Sequence, residues 1–341
     1  MRKLPSNPRV AVIGATGAVG RVMLDILAER GFAAAEMRAI ATARSAGRQV
    51  PYGEESLTVE TVEDRGLDDV DLVLLDTPDG AAAEIAPAAR DAGAIVVDNS
   101  GAWRMDPGVP LVVPEINARD LEKHEGIISS PNCTTITMAL PLAALDLAFG
   151  LRSVIASSYQ SASGAGQPGV EELREQAGKL ATEIDALQSG RVPAVFPEPS
   201  VFAAPIAFNV IPQVGSIRNQ GFTGEEWKML YETRKILGIP DLPVTATCVR
   251  VPSVAGHGVS VNASFNSEIE IDDAVAALSA FPGLEVVDLP TPQMSAGSDS
   301  CFVGRIRRDP HDPRSVAFFS TCDNLRKGAA LNSVQIAESL R

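Results

Sequence analysis

Cysteine and histidine are scarce in this sequence. Among its 341 residues there are four cysteines, Cys133, Cys248, Cys301 and Cys322, and three histidines, His124, His257 and His311. Four scattered cysteines are too few for a disulfide framework and do not form the CxxC spacing of a metal site. We therefore predict no metal centre, and a mechanism that needs a thiol or an imidazole has few candidates.

Positive charge and long apolar runs are also in short supply. The chain has 29 Lys and Arg against 43 Asp and Glu, a formal net charge of -14. A nucleic-acid partner needs clustered cations, so this balance argues against one. No apolar run approaches the ~20 residues of a spanning helix, and the first residues lead into a strand rather than a signal peptide. We expect a cytoplasmic protein with no membrane partner.

The first 130 residues alternate short apolar runs with helical patterns. This alternation is typical of βαβ units, in which a parallel sheet is buried on both faces. The predicted strands are 9–13, 37–42, 71–75, 94–98 and 126–130, with helices that include 21–30 and 81–92. The fold class is α/β, with a doubly wound, Rossmann-like nucleotide-binding domain.

A second domain is predicted from about Leu151, where strands rich in Ser, Val and Thr indicate an α+β unit with a mixed sheet. Its predicted strands are 153–160, 208–212, 245–252, 259–266 and 301–307, and its helices are 170–187 and one that starts at a capping box near Thr223. The segment 325–340 is helical and is expected to return to the first domain. We place the dinucleotide-binding domain at 1–132 plus 323–341 and the catalytic domain at 133–322.

A glycine-rich turn, Gly14 to Gly20, follows the first strand and opens a helix. Glycines allow a pyrophosphate to approach the free N–H groups and the positive end of the helix dipole. The alternative is a turn that needs glycine only for packing. The acid that usually binds the ribose 2'-hydroxyl of NAD is missing, and Arg44, Ser45 and Arg48 stand there instead. These groups suit a 2'-phosphate and favour NADP, unless the loop is merely a solvated basic one.

Cys133 lies where a predicted strand passes into the apolar, helical run 136–147. At a helix N-terminus the dipole and free N–H groups favour the thiolate, so we expect a lowered pKa and a nucleophile. The other three cysteines lie in strand-like surroundings and are expected to be buried and inert.

His257 is the histidine expected to serve that nucleophile. It lies between Gly256 and Gly258, where a backbone bend can aim the imidazole into a cleft. His124 and His311 lie in charged segments and are expected to be exposed. A structural role for His257 remains the alternative.

Eight segments, in order along nearly the whole chain, resemble the aspartate-semialdehyde dehydrogenase family. They are GATGAVG at 14–20, DNSGAWRM at 98–105, VPEIN at 113–117, SSPNCTT at 129–135, YQSASGAG at 159–166, ETRKILG at 232–238, RVPSVAGHG at 250–258 and DNLRKGAALN at 323–332. The resemblance implies reduction of L-4-aspartyl phosphate to aspartate semialdehyde by NADPH, through a thioester, in amino-acid biosynthesis. It also implies a homodimer that forms through the sheet of the second domain, with a dimer of dimers as the alternative.

The resemblance further implies a role for individual residues. The catalytic residues are Cys133 as nucleophile, His257 as acid/base and Gln160 as substrate-orienting amide. The substrate is bound by Arg250 at its α-carboxylate, by Glu225 at its amino group and by Asn132, and its phosphate by Arg104 and Lys228. The cofactor contacts are Gly14, Thr16, Gly17, Ala18, Val19, Arg44, Ser45, Ser163, Gly164 and Asn324.

One stretch departs from the family pattern. Many members carry Ser-Ala-Gly-Gly after the third strand of the predicted sheet, whereas this chain has Asp76-Thr-Pro-Asp79-Gly80. Two carboxylates near a phosphate are unfavourable unless they point away. The sequence therefore assigns no cofactor contact to this stretch.

Three rival functions remain at this point. N-acetyl-γ-glutamyl-phosphate reductase has similar chemistry but an acylated amine in its substrate, against which the Glu225 carboxylate would have little use. A non-catalytic NADP-binding regulator would carry Cys133 as a buried or redox-sensitive thiol. A Cys/His hydrolase would leave the turn at Gly14 and the basic group at Arg44 unexplained.

Overall fold

A computed structural model describes residues 2–191 and 197–341. The first half forms a seven-stranded sheet in the order β3-β4-β2-β1-β5-β6-β7, parallel except for the β3–β4 pair. The elements are β1 (Arg9–Ile13), α1 (Ala18–Glu29), β2 (Glu36–Ile40), β3 (Gln49–Tyr52), β4 (Glu55–Glu60), α2 (Val62–Arg65), β5 (Leu72–Leu75), α3 (Asp79–Asp91), β6 (Ile95–Asp98), α4 (Pro114–Asn117) and β7 (Ile127–Ser129). Strands β5 and β6 are buried throughout, because helices cover both faces of the sheet.

The second half forms a mixed six-stranded sheet in the order β11-β12-β13-β10-β8-β9. Its elements are α5 (Cys133–Phe149), β8 (Leu151–Gln160), α6 (Gly166–Leu180), α7 (Ile184–Gln188), α8 (Gly224–Leu237), β9 (Val244–Arg250), β10 (His257–Phe265), α9 (Ile271–Ala280), β11 (Leu284–Val286), α10 (Pro292–Ser295), β12 (Cys301–Arg308) and β13 (Ser315–Cys322). Helix α5 is buried from Thr134 to Leu145 in the core that this sheet forms with its helices. The predicted two-part α/β architecture is confirmed.

The chain ends with a π-helical turn, Arg326–Ala330, that continues into α11 (Leu331–Ser339). Leu331, Val334 and Leu340 pack in the core of the first sheet. The N–H group of Leu4 donates to the carbonyl of Leu340 at 2.8 Å. The C-terminal segment therefore returns to the first domain, as its helical pattern predicts.

Several predicted elements differ from the structure. The segment 208–212 is not a strand, because Phe208 has φ 55° and only Ile211 bridges to a neighbour. The helix expected over 170–187 is interrupted at Ala181–Glu183, between α6 and α7. The β3–β4 hairpin and the strands β11 and β13 have no counterpart among the predicted strands. Over residues 2–191 and 197–341 no helix is long and apolar enough to cross a membrane.

Candidate active site

Cys133 is the first residue of α5, and the predicted start of this helix is confirmed. Asn132 caps the helix, since its side-chain Oδ1 accepts from the N–H groups of Thr134 at 3.0 Å and Thr135 at 3.3 Å. The Cys133 Sγ lies 4.0 Å from the Thr134 hydroxyl. The turn Ser130-Pro131-Asn132 connects the end of β7 to this position, so the thiol lies at the carboxyl edge of the first sheet.

The expected lowering of the thiol pKa is wrong. Burial raises the pKa of Cys133 to about 12, and the negative charge of Glu225 adds to the rise. The Thr134 hydroxyl and the Arg104 guanidinium act in the opposite direction but do not outweigh desolvation. In these surroundings Cys133 is therefore a neutral thiol at neutral pH.

Gln160, Arg250 and His257 meet at one edge of the second sheet. Strands β8 and β9 are parallel and end with Gln160 opposite Arg250. Strand β10 runs antiparallel to β8, so it begins with His257 next to the end of β8. Three residues that lie up to 97 positions apart in sequence thus become neighbours.

The His257 ring is buried, and its hydrogen bonds identify the tautomer. The Ser161 N–H donates to Nδ1 at 3.1 Å, so the neutral ring carries its proton on Nε2. Nε2 is buried without a hydrogen-bond partner and lies 3.0 Å from where a Cβ on Gly164 would be. Burial, and then the charge of Arg250, lowers the pKa of His257 to about 3. The ring is a neutral donor buried behind Gly164, and no hydrogen bond joins it to Cys133 among the described residues.

Glu225 is the centre of a polar cluster next to Cys133. Its Oε1 accepts from Asn132 Nδ2 at 2.8 Å and from Gln160 Nε2 at 3.1 Å, and its Oε2 from Lys228 Nζ at 3.2 Å. Burial disfavours the carboxylate, yet Lys228 and the two amides outweigh it and lower the pKa of Glu225. Four predicted site residues are thus joined by hydrogen bonds around one anion.

Glu232, for which the sequence predicted no role, pairs with Arg104. Its Oε1 pairs with Arg104 Nη1 at 3.1 Å, and its Oε2 accepts from the Asn132 N–H at 2.7 Å. Arg104 also donates to the Asn99 carbonyl at 2.6 Å. Positions 225, 228 and 232 follow helical spacing on α8, so one face of this helix supplies all three charges. That spacing was the signal in sequence that could have identified Glu232.

Arg250 is buried at the end of β9. Its Nη1 donates to the Ser161 carbonyl at 2.6 Å, and its guanidinium lies 5.5 Å from the centre of the Phe202 ring. Burial lowers the pKa of Arg250, although an arginine stays protonated in proteins. Among the described residues the guanidinium forms no other hydrogen bond, so its remaining N–H groups can bind an anion.

A cleft of about 230 Å³ connects the glycine turn to the nucleophile. The predicted site residues that line it are Ala18, Val19, Arg104, Asn132, Cys133, Ser163, Gly164 and Asn324. Asn324 exchanges hydrogen bonds with the Ser163 hydroxyl at 3.0 and 3.1 Å and accepts from the Gly256 N–H at 3.0 Å. Residues from both halves of the chain and from the C-terminal segment therefore share one cleft.

The start of α1 fits a dinucleotide. Gly17 is its N-cap, and no side chain caps this N-terminus, so N–H groups remain open to an anion. Thr16 and Ser45 hydroxyls lie 3.4 Å apart, which joins the turn to the segment after β2, where Arg44 is exposed outside the cleft. Gly14 has φ 94°, and a Cβ there would lie 2.0 Å from the Asp76 carbonyl. Packing thus requires Gly14, while Gly17 leaves the helix end open.

Asp76 and Asp79, the two carboxylates of the stretch that departs from the family pattern, lie in different surroundings. Asp79 faces away, since its Oδ1 accepts from the Gly101 N–H at 2.8 Å. Asp76 lines the cleft, and burial raises its pKa to about 6. One of the two carboxylates thus remains beside the cofactor end.

The remaining cysteines and histidines lie apart from this chemistry. Cys248, Cys301 and Cys322 are buried, as expected. His311 is exposed, but the expected exposure of His124 is wrong, because its ring is buried and Nε2 lies 3.0 Å from the Arg2 carbonyl. Among the described residues no cluster of three or more His, Cys, Asp or Glu side chains is arranged to hold a metal ion.

Comparison with known proteins agrees with this geometry. Two family models match the chain: "Semialdehyde dehydrogenase, NAD binding domain" over residues 9–124 and "Semialdehyde dehydrogenase, dimerisation domain" over residues 142–327. The aspartate-semialdehyde dehydrogenase of Streptomyces akiyoshiensis is 44% identical over 333 residues, which cover 97% of each chain. That of Bacillus subtilis is 41% identical over 346 residues and also covers 97% of each.

A solved structure gives the same result. The crystal structure of aspartate semialdehyde dehydrogenase II from Vibrio cholerae, complexed with ASA, is 37% identical, has a TM-score of 0.92 and covers 98% of each chain. With the cleft, its nucleophile and its charged cluster, these similarities identify the chain as a member of the aspartate-semialdehyde dehydrogenase family.

Proposed function

We propose that this chain is an NADP-dependent aspartate-semialdehyde dehydrogenase, which converts L-4-aspartyl phosphate to L-aspartate 4-semialdehyde and phosphate. One observation carries the proposal. Cys133, at the N-terminus of α5, lines the same cleft as the open N-terminus of α1 and the guanidinium of Arg104. A nucleophile, a dinucleotide site and a phosphate ligand in one cleft suit reduction of an acyl phosphate.

The first step forms a thioester on Cys133. In the loaded site the Cys133 thiol gives its proton to His257, which becomes an imidazolium, and the sulfur attacks the acyl carbon. The bond from this carbon to the phosphate oxygen breaks, and phosphate leaves with the electron pair and takes up a proton from solvent. Arg104 and Lys228 neutralise the leaving phosphate, and the Glu232 carboxylate keeps the Arg104 guanidinium in place. Because the free thiol is neutral, thiolate formation belongs to the loaded site.

The second step reduces the thioester. NADPH, when bound in the cleft, supplies the hydride. The His257 imidazolium, whose Nε2 is buried without a hydrogen-bond partner among the described residues, donates the Nε2 proton to the oxygen that develops negative charge. When the hemithioacetal collapses, His257 takes this proton back, the bond from carbon to sulfur breaks, and Cys133 leaves as thiolate.

The substrate's two charged ends match the buried charges. The free fork of Arg250 suits the α-carboxylate in bidentate geometry, and Glu225 suits the ammonium group, with Gln160 beside it. An N-acetylated amine offers no positive charge to Glu225, so this carboxylate favours the aspartyl substrate over its longer, acylated rival. On the cofactor, Arg44 and Ser45 suit a 2'-phosphate.

We also infer a homodimer that forms through the free face of the second sheet. Ile155 and Tyr159 on β8 are 65% and 37% exposed on this face, and the Tyr159 ring lies 5.8 Å from that of Phe319. The name of the second family model supports this inference. Ile155→Asp should give monomers by sedimentation, whereas Leu147→Asp on the exposed end of α5 should leave the dimer intact.

The packing of two helices supports the domain boundaries, which are 1–132 plus 323–341 for the dinucleotide-binding domain and 133–322 for the catalytic domain. Helix α11 packs in the core of the first sheet, and Cys133 begins the helix that is buried beneath the second. Limited proteolysis tests this division, since cleavage should concentrate between the two units rather than within either.

The decisive assay uses the phosphate-dependent oxidative direction with aspartate semialdehyde and with N-acetyl-glutamate semialdehyde. Activity with aspartate semialdehyde and NADP is expected, and activity with only the acetylated aldehyde would contradict the proposal. Cys133→Ser should fold and lose activity, while Cys248→Ala, a change at a buried thiol, should retain it. Wild-type turnover by Cys133→Ser would exclude the covalent mechanism, and cofactor binding without turnover by the wild type would favour the regulator.

A further inference from the structure

Asp76 places a carboxylate at the cofactor end of the cleft. It follows β5 directly, and its N–H donates to the Ile13 carbonyl at 2.9 Å, which fixes it beside the glycine turn. Its Oδ2 lies 3.8 Å from where a Cβ on Gly17 would be. The side chain lines the cleft together with Arg104 and Cys133.

This is also where an anionic ligand would lie. Gly17 is the N-cap of α1, a helix of 12 residues whose N-terminus carries no side-chain cap. Open N–H groups and the helix dipole attract the pyrophosphate of a dinucleotide. An ionised Asp76 would therefore stand close to the ligand's negative charge, on the wall of a cleft where the half-buried carboxylate is screened by water less than in bulk solvent.

Few groups are placed to neutralise Asp76. Burial is the main reason that its pKa is raised to about 6, and the carboxylate of Asp98 at the end of β6 adds to the rise. Asn99 and Arg104 lower the pKa, but Arg104 already pairs with Glu232 on α8. Asp79, at the start of α3, is bound to the Gly101 N–H. Asp76 forms no ion pair among the described residues.

We infer that NADP(H) binds to this chain together with one proton, which Asp76 takes up. The proton comes from solvent, and the carboxylate becomes a neutral acid when the pyrophosphate arrives. This inference rests on the proposed function, because it assumes that the cleft binds NADP(H). The departure from the family pattern at Asp76 to Gly80 would thus make the affinity for the cofactor depend on pH, through Asp76.

The direction of the effect follows from the two states of Asp76. Below about pH 5 Asp76 is largely protonated before binding, so no proton is taken up. Above the pKa of the free protein, binding must protonate the carboxylate, and the Kd rises up to tenfold per pH unit. The rise ends at the pKa of the complex, where the bound protein also loses the proton.

Calorimetry measures this proton directly. NADPH binding is titrated between pH 5.5 and 8.5 in two buffers of different ionisation enthalpy, with wild type, Asp76→Asn and the matched control Asp79→Asn. Wild type and Asp79→Asn should take up close to one proton near pH 7.5. Asp76→Asn should bind NADPH at that pH about tenfold or more tightly and lack this uptake. The same titrations are repeated with NADH, which has no 2'-phosphate. Proton uptake that persists with NADH comes from the protein rather than from the 2'-phosphate of the cofactor.

Three results would count against the inference. Equal proton uptake by wild type and Asp76→Asn would overturn it, and so would weaker NADPH binding by a folded Asp76→Asn, since the carboxylate would then be a ligand. Zero uptake by wild type at pH 7.5, which needs no variant, would overturn it as well. Absence of NADP(H) binding at every pH would instead contradict the proposed function. Thermal unfolding of each variant confirms that it is folded.

Discussion

Gly328 packs directly on Cys133. A Cβ at position 328 would lie 2.8 Å from the Cys133 Cβ and 3.3 Å from its Cα. Gly328 belongs to the π-helical turn Arg326–Ala330, whose buried Lys327 donates to Glu115 Oε2 and Gln335 Oε1, both at 2.7 Å. The C-terminal segment thus covers the nucleophile with a residue that has no side chain, held by a buried cation.

Gly328→Ala should displace Cys133. The new methyl group has no room, and overpacking a buried contact costs about 1–3 kcal/mol. We expect kcat to fall roughly ten- to a hundredfold if this strain is relieved by moving the thiol. Gly178→Ala on α6 is the control, since nothing lies within 4 Å of a Cβ there. Steady-state kinetics and unfolding of both variants test this, and unchanged kcat for Gly328→Ala would show that the turn yields instead.

Glu232→Gln should weaken phosphate binding. The amide keeps the shape but loses the charge that pairs with Arg104, and a hydrogen bond to a charged group contributes about 1.5–3 kcal/mol. In the oxidative direction the KM for phosphate should rise roughly tenfold or more, with a smaller effect on the KM for NADP. Glu175→Gln, at an exposed position of α6, should change neither. Equal changes in both constants would indicate general damage to the fold.

The Cys133 thiol of the free protein should titrate far above neutral pH. Because burial raises its pKa to about 12, the fraction of thiolate grows about tenfold per pH unit through the range 7 to 10. The rate of alkylation by iodoacetamide, followed by mass spectrometry of the Cys133 peptide, should rise accordingly. A plateau below pH 8 would mean that the thiolate is stabilised even without ligands. The three buried thiols should stay unmodified while the protein is folded.

His257 should affect both stability and turnover. Its pKa is about 3 in the folded state and ordinarily about 6.5, so the unfolded chain binds a proton that the folded chain does not. Protonation of His257 in the unfolded chain therefore leaves the free energy of unfolding unchanged above pH 6.5. As the pH falls from 6.5 towards 3, it lowers this free energy by up to about 1.4 kcal/mol per pH unit. His257→Asn should reduce this acid sensitivity, which denaturant unfolding at pH 7.5 and 5 measures.

The same variant separates proton transfer from binding. His257→Asn should lower kcat at least a hundredfold and leave the Kd for NADPH within about threefold, because its role lies in the proton transfers. Calorimetry and steady-state assays give the two values. Equal losses in both would identify His257 as a structural residue.

Local patterns in the sequence predicted the scaffold well. Strand β1 and the start of α5 follow from apolar runs and from a polar turn before a helix, both of which involve residues close in sequence. The capping box of Thr223 and Glu226 is present as expected and sets the phase of α8, on which Glu225 and Lys228 share a face. Strand β3, at the edge of the first sheet, and its neighbour β4 were missed because their largely polar, exposed residues lack an apolar pattern.

The sequence by itself determined the two-part α/β architecture, the glycine turn and the choice of Cys133 and His257 among few thiols and imidazoles. Only the tertiary structure decided their electrostatics. The helix N-terminus at Cys133 predicted a low pKa, but burial, which sequence does not report, outweighs it. Glu232 and Gly328 acquired their roles in the same way, because each lies about 100 or more positions from the residue it contacts. Desolvation and close packing depend on what surrounds a group in space, and the chain order does not specify it.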